Sequence, residues 1–176
     1  NFLFKITFFL LLTHNLNGQN KLVYGIERTD QYIKFLKDKK IGLVTNHSSK
    51  FYINKPIHLV DSLINRGINI EKIFAPEHGF RGDVDNGEKI DNSVDVKTKI
   101  PIISLYGNSR KPSKKNISKL DIIIFDIQDV GTRFYTYLST LHYIMEASAE
   151  NGIKVIVFDR PNPNGHYVDG PVLENN

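Results

Sequence analysis

Short apolar runs alternate with polar stretches along this chain. Five of these runs are rich in β-branched residues and nearly continuous in apolarity: residues 41–45, 70–75, 100–105, 121–127 and 153–158. Continuous runs of this kind are typical of strands that are buried on both faces, as in a parallel sheet. The pattern therefore predicts five strands of a parallel sheet.

Apolar stripes with helical spacing lie beside and between several of these runs. They are, in chain order, Ile33 and Leu36; Ile57, Val60, Leu63 and Ile64; and Phe134, Tyr137, Leu138, Leu141, Ile144 and Met145. Gly67 and Gly152 follow the last two stripes, where a helix commonly ends. Strands that alternate with helices predict an α/β fold: a Rossmann-like open, mostly parallel sheet with helices on both faces.

Composition places the chain among globular proteins. Its 176 residues suffice for one domain, and 40% of them are apolar and 24% are charged. The net charge of +4 includes no basic run interleaved with aromatic residues, and the lysine-rich stretch 111–119 has no aromatic residue. We therefore expect no nucleic-acid partner. No cysteine is present, which excludes disulfides.

The N-terminal segment has the pattern of an export signal. Residues 2–12 are apolar apart from Lys5 and Thr7 and are too few to span a bilayer. We interpret residues 1–19 as a signal peptide without its initiator methionine, and expect a soluble periplasmic or secreted protein with no integral membrane span. The alternative is a buried strand or helix of the mature fold.

The C-terminal segment predicts that the protein continues. Prolines and glycines after residue 160 forbid the covering helix that a doubly wound sheet needs. We therefore expect residues 20–176 to be the N-terminal catalytic domain of a longer protein.

Polar side chains follow the predicted strands at the edge where open α/β sheets bind ligands. The candidates are Asn46 and His47 after the first strand, Glu77, His78 and Arg81 after the second, Asp126, Gln128, Asp129, Arg133 and Tyr135 after the fourth, and Arg160 and Asn162 after the fifth. These groups exchange protons, orient hydroxyls or stack on sugars. The sequence therefore predicts a site at this edge.

Several classes of chemistry lack their motifs. The turn after the first strand has no glycine for a dinucleotide, and neither a phosphate-binding P-loop nor a G-x-S-x-G nucleophile turn is present. Metal hydrolysis through His47, His78, Asp126 and Asp129 is less favoured, because no two histidines share a metal-ligand spacing. We expect neither a cofactor nor a metal.

Carboxylate acid/base chemistry fits this set of residues better. Glu77 emerges from an apolar strand beside His78, and glycoside hydrolysis requires a carboxylic acid that protonates the leaving oxygen. A purely structural Glu77, paired with Arg81 or capping a helix, is the alternative. Asp126 and Asp129 are candidates for a second catalytic group or for helix caps. The polar stretch 81–99 is predicted to be a loop that covers the sugar.

Five motifs together resemble a known enzyme family. They are GLVTNHSS, FAPEHGFRG, IPIISLYG, FDIQDVGTRFYTYLSTL and VFDRPNPNG followed by DGP. In this order they resemble the exo-β-N-acetylmuramidases of the NamZ type. The resemblance runs from about residue 22 to residue 174 and implies a Rossmann-like N-terminal domain followed by a smaller C-terminal α/β domain, which this chain does not include.

The resemblance also implies an activity and a catalytic residue. Members release N-acetylmuramic acid from the non-reducing ends of peptidoglycan fragments, and the glutamate of the Pro-Glu-His-Gly motif, here Glu77, is the implied catalyst. The lactyl carboxylate of the sugar would then be an anionic partner for Arg133 or Arg160. The 2-acetamido group is a candidate internal nucleophile. A non-catalytic periplasmic module that binds sugars or wall fragments remains the alternative.

Overall fold

A computed structural model of the chain describes residues 22–52, 55–77, 79–81, 92–107, 109–172 and 174. The elements follow in chain order: a 3₁₀ turn (Gly25–Glu27), α1 (Thr29–Leu36), β1 (Ile41–Thr45), β2 (Lys50–Tyr52), β3 (Pro56–His58), α2 (Leu59–Asn65), β4 (Ile70–Ala75), β5 (Ser93–Val94), β6 (Pro101–Ser104), α3 (Lys114–Ile117), β7 (Ile122–Asp126), α4 (Tyr137–Glu150) and β8 (Lys154–Val157). None of these helices is long and apolar enough to cross a membrane.

Six strands form one mostly parallel sheet in the order β5-β6-β4-β1-β7-β8. Only β5 runs antiparallel to its neighbour, and β2 and β3 form a separate antiparallel pair. From β1 the chain moves outward through β4 to β6, then returns to β7 on the other side of β1 and continues to β8. The direction of winding therefore reverses between β1 and β7, and the crevice beyond their carboxyl ends is the expected ligand position.

Helices cover both faces of this sheet, which confirms the predicted fold class. Alternate residues of a strand point to opposite faces, so Ile122 and Ile124 pack in the core beneath α1 and α2. Ile123 and Phe125 pack in the other core, beneath α3 and α4. All five residues of β1 and of β7 are buried, as central strands of a doubly covered sheet should be.

The predicted helical stripes need two corrections. Ile57 lies in β3, and α2 begins two residues later, because the imidazole of His58 accepts the Val60 N–H at the helix start. Phe134 precedes α4 and is 80% exposed.

Within α4, Leu138 and Met145 are also exposed. The face that packs on the sheet consists of Tyr137, Thr140, Ile144, Ala147 and Ser148, whose smaller members let the helix approach the strands. The positive φ angles of Gly67 and Gly152 confirm the predicted helix ends.

The stretch between β4 and β6 also differs from the prediction. Residues 82–91 lie outside the described residues, so the predicted cover over the sugar stays a prediction. The described remainder is ordered: Ser93–Val94 pairs with β6, and the turn after it closes through Lys99 N–H to the Asp95 carbonyl at 2.8 Å.

Candidate functional site

The loops that follow β1 and β7 are joined at the reversal point of the sheet. The Ser49 hydroxyl donates to the Asp126 carboxylate, and the Gln128 backbone N–H donates to Ser48 Oγ at 3.3 Å. These bonds tie the two strand ends that flank the predicted crevice. The edge is therefore held in a defined shape by the residues that the motifs singled out.

Asn46 is the centre of this arrangement. It is almost completely buried, and its Oδ1 accepts the Ser48 N–H at 2.9 Å and the Ser48 hydroxyl at 2.7 Å. Its backbone carbonyl lies 2.9 Å from His58 Nε2. A residue predicted to bind substrate therefore also fixes the turn after β1.

His58 supports this turn as a neutral imidazole. Its Nδ1 accepts the Val60 N–H, so Nε2 carries the proton and donates to the Asn46 carbonyl. Burial lowers the pKa of His58, and the nearby Arg81 lowers it further, against the hydrogen bond to Asn46 and the charges of Asp61 and Asp126. Nothing in the sequence marks this histidine as a site residue, because it lies in a three-residue strand that carries no distinctive pattern.

Glu77 lies two residues after the end of β4, at the same edge of the sheet. Its residue is half-buried, and no hydrogen bond or ion pair from another described residue engages its carboxylate. The alternative pairing with Arg81 is not observed, because Arg81 binds other acids. His78, the second residue of the predicted catalytic pair, lies outside the described residues.

Tyr137 is a second residue at this edge that was not among the candidates predicted from sequence. Its spacing assigned it to the helix core, and its ring is indeed buried, with 7% exposed. Burial raises the pKa of Tyr137, and so does the negative charge of Glu77, whereas a hydrogen bond with the Asn46 side chain lowers it. The residue also lines the cavity between the start of α4 and the end of β8.

Asp126 occupies a different environment from that expected of a proton donor. It is fully buried, and Arg160 donates to both of its oxygens, from Nε at 2.7 Å and from Nη2 at 3.1 Å. With Ser49 as a third donor, this carboxylate is well suited to hold β7 against the end of β8. Arg160 therefore pairs with Asp126, which is 34 positions away in the sequence, and not with the adjacent Asp159.

Arg81 is also paired within the protein. It donates to both oxygens of Asp95, each at 2.9 Å, and to Asp61 Oδ1 at 3.3 Å. Lys97 reaches the other oxygen of Asp61 at 2.8 Å. Hydrogen bonding from Arg81 holds the pKa of Asp95 well below its usual range. Arg81 thus anchors the chain just after Glu77 to α2.

The loop after β7 is ordered by local hydrogen bonds. Gln128 Nε2 donates to the carbonyls of Asp129 and Pro161, at 2.6 Å and 3.0 Å. Asp129 accepts the Gly131 N–H at 3.2 Å and so closes a turn. It is not the cap of α4, because Thr136 occupies the position before the first residue of that helix. Asn162 packs against Gly131, where a side chain would collide with it.

Three further candidates lie on the surface of this edge. Arg133 is exposed and donates to the Pro171 carbonyl at 2.9 Å. Tyr135 is also exposed, and its ring meets Tyr137 edge-on with 5.8 Å between centroids. His47 is exposed beside Ser48. All three can be reached by a ligand that enters the crevice.

Two cavities flank Arg160 at this edge. One, of about 500 Å³, lies on the side of the 3₁₀ turn and β2, and His47, Ser48 and Tyr24 contribute to its walls. The other, of about 380 Å³, lies between the start of α4 and the end of β8, and Tyr137, Asp129 and Asn162 line it. Both volumes fall in the range of small-molecule sites.

The described residues contain no group of three or more His, Cys, Asp or Glu side chains arranged to hold a metal ion. The metal hydrolase alternative included His78, which lies outside this part of the chain. Among the described residues, this edge instead combines the carboxylate of Glu77 with amide, phenol and guanidinium groups.

Comparison with known proteins identifies the family. The model described as "Exo-beta-N-acetylmuramidase NamZ, N-terminal" matches residues 41–176. The chain belongs to the NamZ N-terminal family. It is similar to the peptidoglycan beta-N-acetylmuramidase NamZ of Bacillus subtilis, with 48% identity over 146 residues. The resemblance drawn from the five motifs is thereby confirmed.

Solved structures agree with this assignment to the NamZ N-terminal family. Two crystal structures of DUF1343 family proteins from Bacteroides fragilis share the fold, with TM-scores of 0.72 and 0.74 and identities of 46% and 40%. Each match covers 86% of this chain and 38% of the other protein. The Bacillus match covers 81% of this chain and 34% of that protein. The chain thus spans about a third of the length of its relatives.

Proposed function

We propose that this chain carries the catalytic glutamate of an exo-acting β-N-acetylmuramidase, which releases N-acetylmuramic acid from the non-reducing ends of peptidoglycan fragments. Membership of the NamZ N-terminal family supports the reaction class. The observation that carries the proposal is the state of Glu77: it follows a central strand at the ligand edge, and no described residue occupies its carboxylate.

Glu77 has the properties that a general acid needs. Its partial burial limits contact with water, and its position two residues beyond β4 presents the carboxyl group at the ligand edge, within reach of a glycosidic oxygen bound there. Proton donation to that oxygen would accompany cleavage of its bond to the anomeric carbon of muramic acid. Asn46 and Gln128, at the neighbouring strand ends, would orient sugar hydroxyls.

The second catalytic group has three candidates: Asp126, Asp129 and the 2-acetamido group of the sugar. Asp129 closes a turn by accepting the Gly131 N–H, and the oxygens of Asp126 already accept bonds from Arg160 and Ser49. A buried carboxylate held in this way is a poor nucleophile or base. We therefore favour the 2-acetamido group of the sugar as internal nucleophile, a route that needs no second carboxylate.

The lactyl carboxylate distinguishes muramic acid from other wall sugars. Of its two predicted partners, Arg160 is 5% exposed in its side chain and is neutralised by Asp126. Arg133 is exposed and donates only to a backbone carbonyl in the described structure. We therefore assign recognition of the lactyl group to Arg133, and expect Arg133→Ala to raise KM for a muraminide with little change in kcat.

The decisive experiment is turnover by the full-length gene product. A chromogenic β-N-acetylmuraminide should be cleaved and the matching β-N-acetylglucosaminide, which lacks the lactyl ether, should not. Glu77→Gln should abolish release while the protein remains folded. Binding of muramyl fragments without any release would favour the alternative of a non-catalytic wall-binding module, and unchanged release by Glu77→Gln would remove Glu77 from the chemistry.

A periplasmic or secreted location remains part of this proposal. It rests on the apolar segment 2–12, which lies outside the described residues, and on the peptidoglycan substrate. Fractionation of the native host should place the protein outside the cytoplasm, with residues 1–19 removed. Full retention in the cytoplasm with an intact N-terminus would contradict it.

A further inference from the structure

The two edges of the six-stranded sheet differ in how they are protected. At one edge, β5 has only two residues, and so short a strand offers little for another chain to pair with. At the other edge, β8 has four residues and contains neither a charge nor a proline after Lys154. Among the described residues, β8 pairs only with β7. This edge therefore lacks the features that usually keep a further strand away.

The hydrogen bonds at the end of β8 show which of its backbone groups face outward. The Phe158 N–H donates to the Phe125 carbonyl at 2.9 Å, so residues in phase with Phe158 bond toward β7. The alternate residues bond toward the outer side, where the Asp159 carbonyl accepts an N–H of the 3₁₀ turn at 3.1 Å. The backbone groups of Val155 and Val157 also face outward, and no described residue bonds to them there.

Apolar side chains extend this edge onto α4. Leu138, Leu141 and Met145 recur at helical spacing, and the exposed fractions of Leu138 and Met145 are 68% and 50%. Val157 is 47% exposed, and it lines the cavity between α4 and the end of β8 together with Leu138 and Leu141. The apolar stripe and the free strand edge thus border the same space, and together they form what we call the β8 edge surface.

The sequence of β8 suits a strand with more cover than the described residues provide. The run 153–158 predicted a strand that is buried on both faces, and all five residues of β1 and of β7 are buried in this way. In β8, by contrast, Val157 is exposed and Val155 and Ile156 are only half-buried. An apolar strand with unpaired backbone groups on one side is a template for another strand.

The length of the relatives indicates what covers the β8 edge surface. The matching family model describes an N-terminal region, and the chain spans about a third of the length of its relatives. Arg133, four residues before α4, donates to the Pro171 carbonyl at 2.9 Å. Polypeptide that continues past Pro171 therefore starts beside this surface, and such a short tether gives it a high effective concentration there. A second copy of the chain has no such advantage.

We propose that the β8 edge surface is the docking site for a strand from the part of the full-length protein that follows this chain. The strand pairs with the outward backbone groups of Val155 and Val157, and its apolar side chains cover Leu138 and Met145. The sheet is thereby extended by one strand beyond β8. This assembly is independent of the reaction that Glu77 catalyses, so it can fail or hold whatever the proposed function.

The first test measures amide hydrogen exchange in the full-length gene product at residue resolution. Ile156 and Phe158 bond toward β7 and serve as internal references. We expect the Val155 and Val157 amides to exchange at least about 100-fold more slowly than in an unstructured peptide of the same sequence. Faster exchange at these two valines, with Ile156 and Phe158 protected, would overturn the strand pairing.

The second test introduces a charge on the helical part of the surface of the full-length gene product. Leu138 lies in the first turn of α4, where a negative charge interacts favourably with the helix dipole. On an uncovered surface, Leu138→Glu would therefore leave Tm unchanged or raise it. Beneath a docked strand the charge is buried without a partner, and we expect Tm to fall by at least about 5 °C.

Ser139→Glu is the matched control for this variant. It places the same charge in the same helical turn at an exposed position, and it should stay within about 1 °C of the wild-type Tm. A fall in Tm for Leu138→Glu that is no larger than that for Ser139→Glu would overturn the proposal.

The molar mass in solution separates a docked segment from a second copy. We expect the full-length wild type and Leu138→Glu to have the same molar mass across a range of protein concentrations. A wild-type dimer that Leu138→Glu converts to monomers would assign the β8 edge surface to a second copy and overturn the proposal.

Discussion

Two acids at the same edge of the sheet, Asp126 at the end of β7 and Glu77 two residues beyond β4, have opposite surroundings. Asp126 is fully buried and receives both Arg160 donors and Ser49. Glu77 is half-buried, and no described residue binds its carboxylate. Each lies at the carboxyl end of a buried strand, so position alone does not separate a structural acid from a chemical one.

The two acids differ because the arginine near Asp126 binds it, whereas the arginine near Glu77 binds other acids. Arg160 follows β8, the strand beside β7, and so arrives next to Asp126. Arg81 follows Glu77 in the same loop, but Asp95 and Asp61 bind it. A buried charge without a partner is costly, so Asp126 requires Arg160, whereas a partly exposed Glu77 tolerates having no partner.

The largest loss of stability should come from breaking the ion pair between Asp126 and Arg160. Asp126→Asn removes one member of a buried ion pair and leaves the Arg160 charge uncompensated, so we expect the free energy of unfolding to fall by about 3–5 kcal/mol. Urea denaturation would measure it. Asp159→Asn is the matched control: it changes the exposed acid adjacent to Arg160 and should stay within about 0.5 kcal/mol of the wild type. Equal losses of unfolding free energy in the two variants would contradict the pairing of Arg160 with Asp126.

A smaller loss of stability is expected when Asp95, which binds Arg81, is changed. Asp95→Asn should lower the free energy of unfolding by about 1.5–3 kcal/mol at neutral pH, because hydrogen bonds to charged groups are lost. The folded-state pKa of Asp95 lies below its usual value, so its contribution is present above about pH 4 and is lost as pH falls. The wild-type and variant stabilities should therefore converge in acid, and a constant difference down to pH 2 would contradict the pairing.

The smallest predicted change in stability concerns His58, which supports the turn at Asn46 after β1. Because burial lowers its folded-state pKa, the unfolded chain binds the proton first, and stability should fall as pH drops below about 6.5. We expect a loss of about 1 kcal/mol between pH 7.5 and 5.5. The His58→Gln variant should lose less stability over this pH range than the wild type. The control His142→Gln changes an exposed histidine and should lose as much stability as the wild type. If His58→Gln retains the full pH dependence, the effect belongs to other groups.

The central sheet could be predicted because its strands carry strong apolar patterns. The predicted bounds of β1 and β4 were confirmed residue for residue, and those of β6, β7 and β8 differed by one residue at each end. The short strands β2, β3 and β5 were missed, since they have two or three residues and lack a continuous apolar run. Their pairing depends on tertiary contacts that local patterns do not contain.

The candidate site could be predicted as a region but not as a set of bonds. The crevice rule led to Asn46, Glu77 and Gln128 because each follows a strand. The Asp126–Arg160 pair joins residues that are 34 positions apart, which only the strand order brings together. Tyr137 was assigned to the core by its spacing, and its ring does lie there. What the pattern does not encode is that the same residue also lines a cavity with Arg160 and Asn162, which follow another strand.

The most direct test of the account measures stability and turnover together in Glu77→Gln and Asp126→Asn of the full-length gene product. We predict that Glu77→Gln unfolds within about 0.5 kcal/mol of the wild type and loses at least about 10²-fold in kcat for the muraminide. Asp126→Asn should instead lose about 3–5 kcal/mol of unfolding free energy. A Glu77→Gln protein that turns over normally, or an Asp126→Asn protein as stable as the wild type, would contradict the division between a chemical and a structural acid.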